Sequence, residues 1–420
     1  MENTSPEGTN SEAIARRLLA CCLDQHPWPA HLVDDLLASG GDRELFRIVV
    51  ERLADLFEPR LCRVYAELFC DVIARRTGLH ATHLLARYER VREARVLDRA
   101  PSSIRNVFVL SRVTLGADVA VTSVVLDAAK KRFPHAVIRF AGPAKNWEMF
   151  AADPRLRHLP VAYGRSGTVD DRIAVWPQLR EAVSLPDSIV IDPDSRLTQL
   201  GLLPVCPEED HYFFESRSYG AATTDPLAVL TSRWAEETFG VPAARPYICT
   251  GIDASKYACT VSFGTGENPA KRVPDPFEQE VLRRLPRPLL IDKGAGGEEA
   301  ERVERVLARI GAKAGREGIA MWDGSFAGFA AHIQRSKLYF GYDSAGGHVA
   351  AACGVPMISV FAGAVSERMF ERWRPTGAGK IEIIRPERMS LEKLLADFED
   401  CLHRIQTDSP APNLSPETGS

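Results

Sequence analysis

Six consecutive residues, Asp343-Ser344-Ala345-Gly346-Gly347-His348, have the types and order of a phosphate-binding turn. The largely apolar run ahead of them, Lys337–Tyr342, reads as a strand, and Ser344–Cys353 reads as a helix. Ser344 is a good N-cap. The small residues after it leave the first backbone N–H groups uncovered. A helix N-terminus with bare amides attracts phosphate through its unpaired donors and its dipole. Two glycines let a bulky diphosphate come close. His348, one turn inside, can hydrogen-bond a phosphate oxygen or a sugar hydroxyl. The same residues also fit a tight strand-to-helix turn, with glycine there for packing and His348 supporting it from behind. Pattern alone leaves both open.

A strand running into a helix start needs a sheet to hold it, and the chain supplies two sets of alternating elements. The first begins at Ile104–Leu110, a short apolar run of the kind found in a buried parallel strand. A helix over Val119–Phe133 follows, then strands over 136–141, 159–163 and 188–192, with a further one suggested at His211–Glu215. Leu227–Phe239 reads as a helix and Val241–Pro246 as a linker. The second set has strands over 258–263, 289–292, 337–342, 357–361 and 380–384. Its helices are expected over 277–285, 298–310, 326–334, 344–353 and 390–405. Strands alternating with helices imply parallel sheets with right-handed crossovers. Ligands in such sheets bind beyond the carboxyl ends of the strands, so two facing halves would place a site in the cleft between them.

Ahead of both sets, residues 12–98 show helical spacing, as in Leu45, Ile48, Val49, Leu53 and Leu56, with few strand signals. The expected organisation is therefore an all-helical module over 1–100 and α/β Rossmann-like domains over 101–245 and 246–405. A tail over 406–420, rich in Pro, Ser and Thr, is expected to be disordered. The helical module carries no nameable chemistry and suits a protein partner or self-association.

The totals narrow the class. A chain of 420 residues exceeds one ordinary core. With 45% hydrophobic and 26% charged residues it reads as globular, and a net charge of -4 argues against a general nucleic-acid binder. No run of 18 apolar residues suggests a membrane span. The nine cysteines are odd in number and lack C-x-x-C spacing, so neither a disulfide framework nor a zinc site is suggested. The polar, acidic N-terminus lacks the features of a signal peptide. A cytoplasmic location is the expectation.

The segment 343–363, Asp-Ser-Ala-Gly-Gly-His-Val-Ala-Ala-Ala-Cys-Gly-Val-Pro-Met-Ile-Ser-Val-Phe-Ala-Gly, resembles the nucleotide-sugar segment of glycosyltransferase family 9, the heptosyltransferase family of lipopolysaccharide synthesis. Ala345 stands where that family usually has Gly. Val113–Ser123, continuing to Phe133-Pro134, is similar to the family's opening loop, with Ala117 as an extra residue and the loop proline missing. The resemblance implies that Asp118 is the general base that deprotonates the acceptor hydroxyl; read locally, Asp118 could simply cap the helix. Phe263–Pro274 resembles the family's Gly/Thr-rich loop followed by Lys-x-Trp-Pro, with Val273 in place of Trp. This implies that Lys271 meets the phosphates and that Ser262, Thr265 and Gly266 donate further hydrogen bonds. Ile291–Glu299 resembles the strand, turn and acidic helix start at which a Glu meets the ribose; Glu299 is the choice, Glu298 nearly as good. Trp322 sits where the family edges its base pocket, or packs in the core. The resemblance covers about 104–405 and leaves out the helical module.

The implied fold is the GT-B architecture, two Rossmann-like domains facing a cleft. The implied reaction moves a sugar, heptose by default, from a nucleoside-diphosphate donor such as ADP-heptose to a hydroxyl acceptor. Amides and Lys271 can meet the charge of the leaving diphosphate, so neither metal nor cofactor is required. Two rivals share the phosphate site: a nucleotide-sugar epimerase or hydrolase of the same shape, and a catalytically silent binding protein that docks a partner through its helices.

Overall fold

The computed structural model describes residues 6–164, 167–265, 271–294, 296–311 and 318–407. The chain forms two compact units, Met1–Asp253 with Ala364–Thr376, and Ala254–Gly363 with Gly377–Ser420.

The first unit opens with helices, among them Pro6–Leu23, Ala30–Ala38, Pro59–Thr77 and Ala81–Val91. Pro59 at the first turn and left-handed Gly78 just past the end delimit the third of these. Its apolar stripe of Leu61, Tyr65, Leu68, Phe69 and Val72 is buried. The helices share one core with the strand His211–Phe213 and the segment before it, since Leu68, Phe69 and Tyr88 cluster with Leu200, Leu202, Leu203 and Phe213.

The sheet of this unit comprises β1 (Asn106–Leu110), β2 (Val137–Gly142), β3 (Leu156–Pro160), β4 (Ser188–Asp192) and β5 (His211–Phe213). All pairings are parallel, in the order β3-β2-β1-β4-β5. Val107, Phe108, Val109 and Leu110 are fully buried, as a strand covered on both faces requires. The third strand lies three residues earlier than its expected 159–163. Arg157 and His158 interrupt its apolar pattern, and the strand sits at the sheet edge.

The second unit holds β6 (Cys259–Ser262), β7 (Leu289–Asp292), β8 (Ile319–Trp322), β9 (Tyr339–Tyr342), β10 (Met357–Val360) and β11 (Ile381–Ile384). Its order is β11-β10-β9-β6-β7-β8, again parallel. Ile319–Trp322 is a strand that sequence patterning did not show; among its four residues only Ile319 is buried. The closing helix runs over Leu391–Thr407, and the expected disordered tail beyond it lies outside the described residues. A short helix, Glu367–Trp373, belongs to the first unit although the second surrounds it in sequence.

Each sheet begins on an interior strand, proceeds outward to one edge, and then crosses to the other side of its first strand. The reversal lies between β1 and β4 in one unit and between β6 and β9 in the other. At such switch points the loops part and leave a crevice at the strand carboxyl ends. Among the described residues no helix is long and apolar enough to cross a membrane.

Candidate functional site

In the second unit, the switch point lies where β6 ends in Ser262 and β9 runs into Asp343. The helix that follows spans Ala345–Ala352. Ser344 occupies its N-cap position, but its side chain does not cap the helix, contrary to the role read from sequence. The amides of the first turn are thus left to other partners; Gly347 N–H reaches Ser344 O at 3.2 Å.

Lys271 reaches this turn from the neighbouring loop. Its Nζ is 2.5 Å from Asp343 Oδ2 and 3.3 Å from Asp343 O. Its position is set two residues downstream. Val273 is buried in the unit's core, and its carbonyl accepts from Arg302 Nη2 at 2.9 Å. Arg302 also grips the buried Glu278 with two nitrogens, at 2.8 and 3.0 Å, and Tyr342 Oη donates to the same carboxylate at 2.6 Å. This network anchors the strand that leads into Asp343 to the loop that carries Lys271. Arg302, Glu278 and Tyr342 were missed by sequence reasoning, because residues so far apart in the chain leave no local signal.

His348 is buried behind the turn. Burial pushes its pKa down, with Asp343 pulling it up and Lys271 down again. The neutral ring fits a hydrogen-bonding role better than a cationic one. Gly346 has a packing reason of its own. A Cβ there would overlap the Tyr339 hydroxyl and stand 2.8 Å from its Cζ. That hydroxyl is buried beside Ser262 and Ser344 without a well-formed hydrogen bond. Gly346→Ala should therefore cost about 1–3 kcal/mol of stability. Urea denaturation checks this, and Tyr339→Phe should recover part of the loss by removing the overlapping hydroxyl.

Thr265 and Glu299 meet a short distance away. Thr265 N–H donates to Glu299 Oε1 at 3.2 Å, and Arg272 bridges the two, with Nε 3.0 Å from Thr265 Oγ1 and Nη2 3.7 Å from Glu299 Oε1. Left-handed Gly294 lets the Glu299 side chain pass, since a Cβ there would stand 2.9 Å from both its Cβ and Oε2. Ser262 Oγ donates to Asp292 Oδ2 at 3.3 Å. Arg272, adjacent to Lys271, was overlooked in the sequence and joins the two clusters. Glu298 is exposed. Gly266 lies outside the described residues. Trp322, at the end of edge strand β8, packs on the helix that follows, Phe326–Arg335. Its Nε1 donates to Ser325 O at 3.0 Å, it meets the His332 ring at 5.0 Å, and Gly328 makes room for its indole.

In the first unit, Asp118 is completely buried near the end of β1. Its Oδ1 accepts from Arg112 N–H at 2.7 Å and Thr122 Oγ1 at 2.6 Å. Its Oδ2 accepts from Ser111 Oγ and Asn146 Nδ2, both at 2.6 Å. Those four donors fill the lone-pair positions of a carboxylate. Burial raises its pKa, against the pull of the four hydrogen bonds. Asp118 also opens a π-helical turn, Asp118–Thr122, within the helical run 115–132. A π turn absorbs one extra residue in a helix. The second acid at this switch point, Asp194, is buried with Oδ1 lacking a partner among the described residues.

Buried His211, at the start of β5, also has its pKa lowered by burial. In the unfolded chain both His211 and His348 take up protons near their ordinary 6.5, whereas the folded protein resists. Stability should therefore fall as pH drops below about 6.5. Buried Asp118 and Glu278, raised instead, act in the opposite sense nearer the carboxylate range. Denaturation midpoints at pH 7.5 and 6.0 check the first effect, and the double variant His211→Asn/His348→Asn should flatten the slope.

No protein-family model matches the chain, and no curated protein matches its sequence. Solved structures do match. The chain is similar to the glycosyl transferase family 9 structure from Veillonella parvula DSM 2008, with a TM-score of 0.53 and 17% identity, covering 74% of this chain and 99% of that one. It is also similar to E. coli ADP-heptose lps heptosyltransferase II, with a TM-score of 0.50 and 15% identity, covering 72% and 99%. At such identities the likeness is one of fold: an α/β chain with two parallel sheets.

Proposed function

We propose that this protein is a glycosyltransferase that takes a sugar from a nucleoside-diphosphate donor and passes it to a hydroxyl acceptor, with ADP-heptose the first donor to test. The observation that carries the reading is the placement of Lys271 against Asp343 at the start of the Ala345–Ala352 helix, at the switch point of the second sheet. Glycosyl transfer builds negative charge on the departing diphosphate. A helix N-terminus and a fixed ammonium both stabilise charge at that position, and no divalent cation is required in this scheme. Glu299, held by Thr265 and Arg272, is the acid that the resemblance offers to ribose hydroxyls.

On the acceptor side, Asp118 is the carboxylate that the resemblance offers as base. To take a proton it must first release one of its four donors. That saturation favours a second reading, a protein that binds a nucleotide sugar without transferring it. Both readings require donor binding, and a thermal-shift screen of nucleoside-diphosphate sugars tests it, because ligand binding raises apparent stability by mass action. ADP release from ADP-heptose then separates them: steady release supports transfer, and binding without release supports the silent protein. No shift with any nucleotide sugar would end both.

A further inference from the structure

We infer that the helices at the start of the chain clamp the turn after β4, and that Arg87 and Tyr88 are positioning residues for the acceptor side of the proposed reaction. The chemistry of this inference rests on that reading; its geometry does not.

The turn lies at the switch point of the first sheet. Ser195 Oγ donates to Ser111 O at 2.5 Å at the end of β1, and Arg112 Nη1 donates to Pro193 O at 2.7 Å. Its backbone is strained. Asp194, Gln199 and Leu200 have φ of 65°, 50° and 58°, a region that side-chain-bearing residues rarely adopt. Such conformations persist only where the surroundings over-determine them.

Two buried routes from the helices supply that constraint. In the first, Arg87 Nη1 donates to Gly201 O at 2.9 Å, and its Nη2 lies 2.8 Å from His211 Nδ1. Arginine only donates, so Nδ1 accepts and the ring proton sits on Nε2, 3.4 Å from Asp192 Oδ2. Asp192 in turn accepts from Ser195 N–H at 2.7 Å and Thr198 Oγ1 at 2.6 Å. In the second route, the Arg217 guanidinium lies 4.7 Å from the Tyr65 ring centre and its Nη2 is 3.2 Å from Tyr88 Oη. Its Nε stands 3.5 Å from Asp194 Oδ2. Asp192 is thus held through a partner that the helices fix, while Asp194 accepts from Ser216 Oγ at 2.6 Å and lies in ion-pair range of Arg217, whose Nε donates to Glu215 at 2.7 Å. The helices also make apolar contacts in the same region, but covering alone does not call for the buried charges, since buried ion pairs are a costly way to add stability. The chain of contacts continues from Ser195 to Ser111 and from Ser111 Oγ to Asp118, so the clamp reaches the acid expected on the acceptor side.

The test compares full-length wild type with Arg87→Met and the milder Arg87→Lys by hydrogen exchange, thermal melting and calorimetric titration with ADP-heptose. Amides of residues 195–201 should exchange at least about tenfold faster in Arg87→Met and less so in Arg87→Lys. Affinity for ADP-heptose should stay within about twofold, since the donor residues belong to the other unit. Adding His211→Leu removes the ring nitrogen that Arg87→Met leaves without a donor, while Gly201 O and Asp192 still lack theirs, so the melting temperature should recover in part, exchange at 195–201 should stay fast, and ADP release from ADP-heptose should be slower than in wild type. The clamp is overturned if exchange at 195–201 in Arg87→Met matches wild type, or if protection returns together with the melting temperature in the double variant. Should Arg87→Met fail to fold, Tyr88→Phe puts the same question to the second route through Arg217. If wild type binds no ADP-heptose, the glycosyltransferase reading fails and the exchange measurement alone decides the clamp.

Discussion

Replacing Lys271 with methionine should weaken binding of a nucleoside-diphosphate sugar by about ten- to a hundredfold. A hydrogen bond to a charged group contributes about 1.5–3 kcal/mol, and each 1.4 kcal/mol is a factor of ten in affinity. Two effects act together. The ammonium proposed to meet the diphosphate is lost, and Asp343, only 6% exposed, is left without the cation that balances it. The uncompensated carboxylate would repel a diphosphate bound at this turn. Lys271→Met/Asp343→Asn should accordingly recover part of the affinity, whereas Lys271→Arg should retain most of it. Calorimetric titration reads the affinities. Denaturation of each variant separates lost binding from lost fold, and the Glu278–Arg302–Tyr342 network should keep the loop in place in all of them.

Asp118→Ala should destabilise the first unit by about 3 kcal/mol or more, because it leaves buried donors without their acceptor. The Ser111 and Thr122 hydroxyls can turn elsewhere. The Arg112 N–H has a direction fixed by the chain and cannot, and Asn146 Nδ2 is buried where it loses this acceptor. Asp118→Asn keeps the shape but turns an NH₂ towards donors, so it should fall in between. Urea denaturation measures both. If Asp118 served as a base alone, the two variants would lose ADP release with unchanged denaturation midpoints. The same four contacts mean that loss of activity in Asp118→Ala, taken without a stability measurement, cannot be assigned to proton transfer.

Much of this architecture was legible because parallel strands covered on both faces are spelled as unbroken apolar runs. Ile189, Val190 and Ile191 are all fully buried, as their spelling implied. Leu227–Phe239 was equally plain, with apolar residues at helical spacing and left-handed Gly240 at its end. The turn at 343–348 was legible as a strand-to-helix junction, with packing as one of two readings of its glycines, but the residue that Gly346 packs against was not. The close approach it permits is that of Tyr339, from the same unit, a contact that depends on tertiary packing. Edge strands were harder. In β8 the apolar run Ile319–Trp322 is only four residues long and only its first residue is buried; Trp322 fitted a pocket edge or core packing, and its indole lies against Gly324 and Gly328. Asp118 shows the general limit. Its place at a helix start was visible, while its role depends on Asn146, 28 residues away, and on the loop that supplies Arg112 and Ser111.

The most direct test of the central claim is calorimetric titration of the folded wild-type protein and Lys271→Met with ADP-heptose, in buffer containing a chelator of divalent cations. The proposed site predicts saturable one-site binding to wild type that is weakened at least about tenfold in the variant. A folded wild-type protein that binds neither ADP-heptose nor any other nucleoside-diphosphate sugar, or a Lys271→Met variant that binds as tightly as wild type, would contradict it.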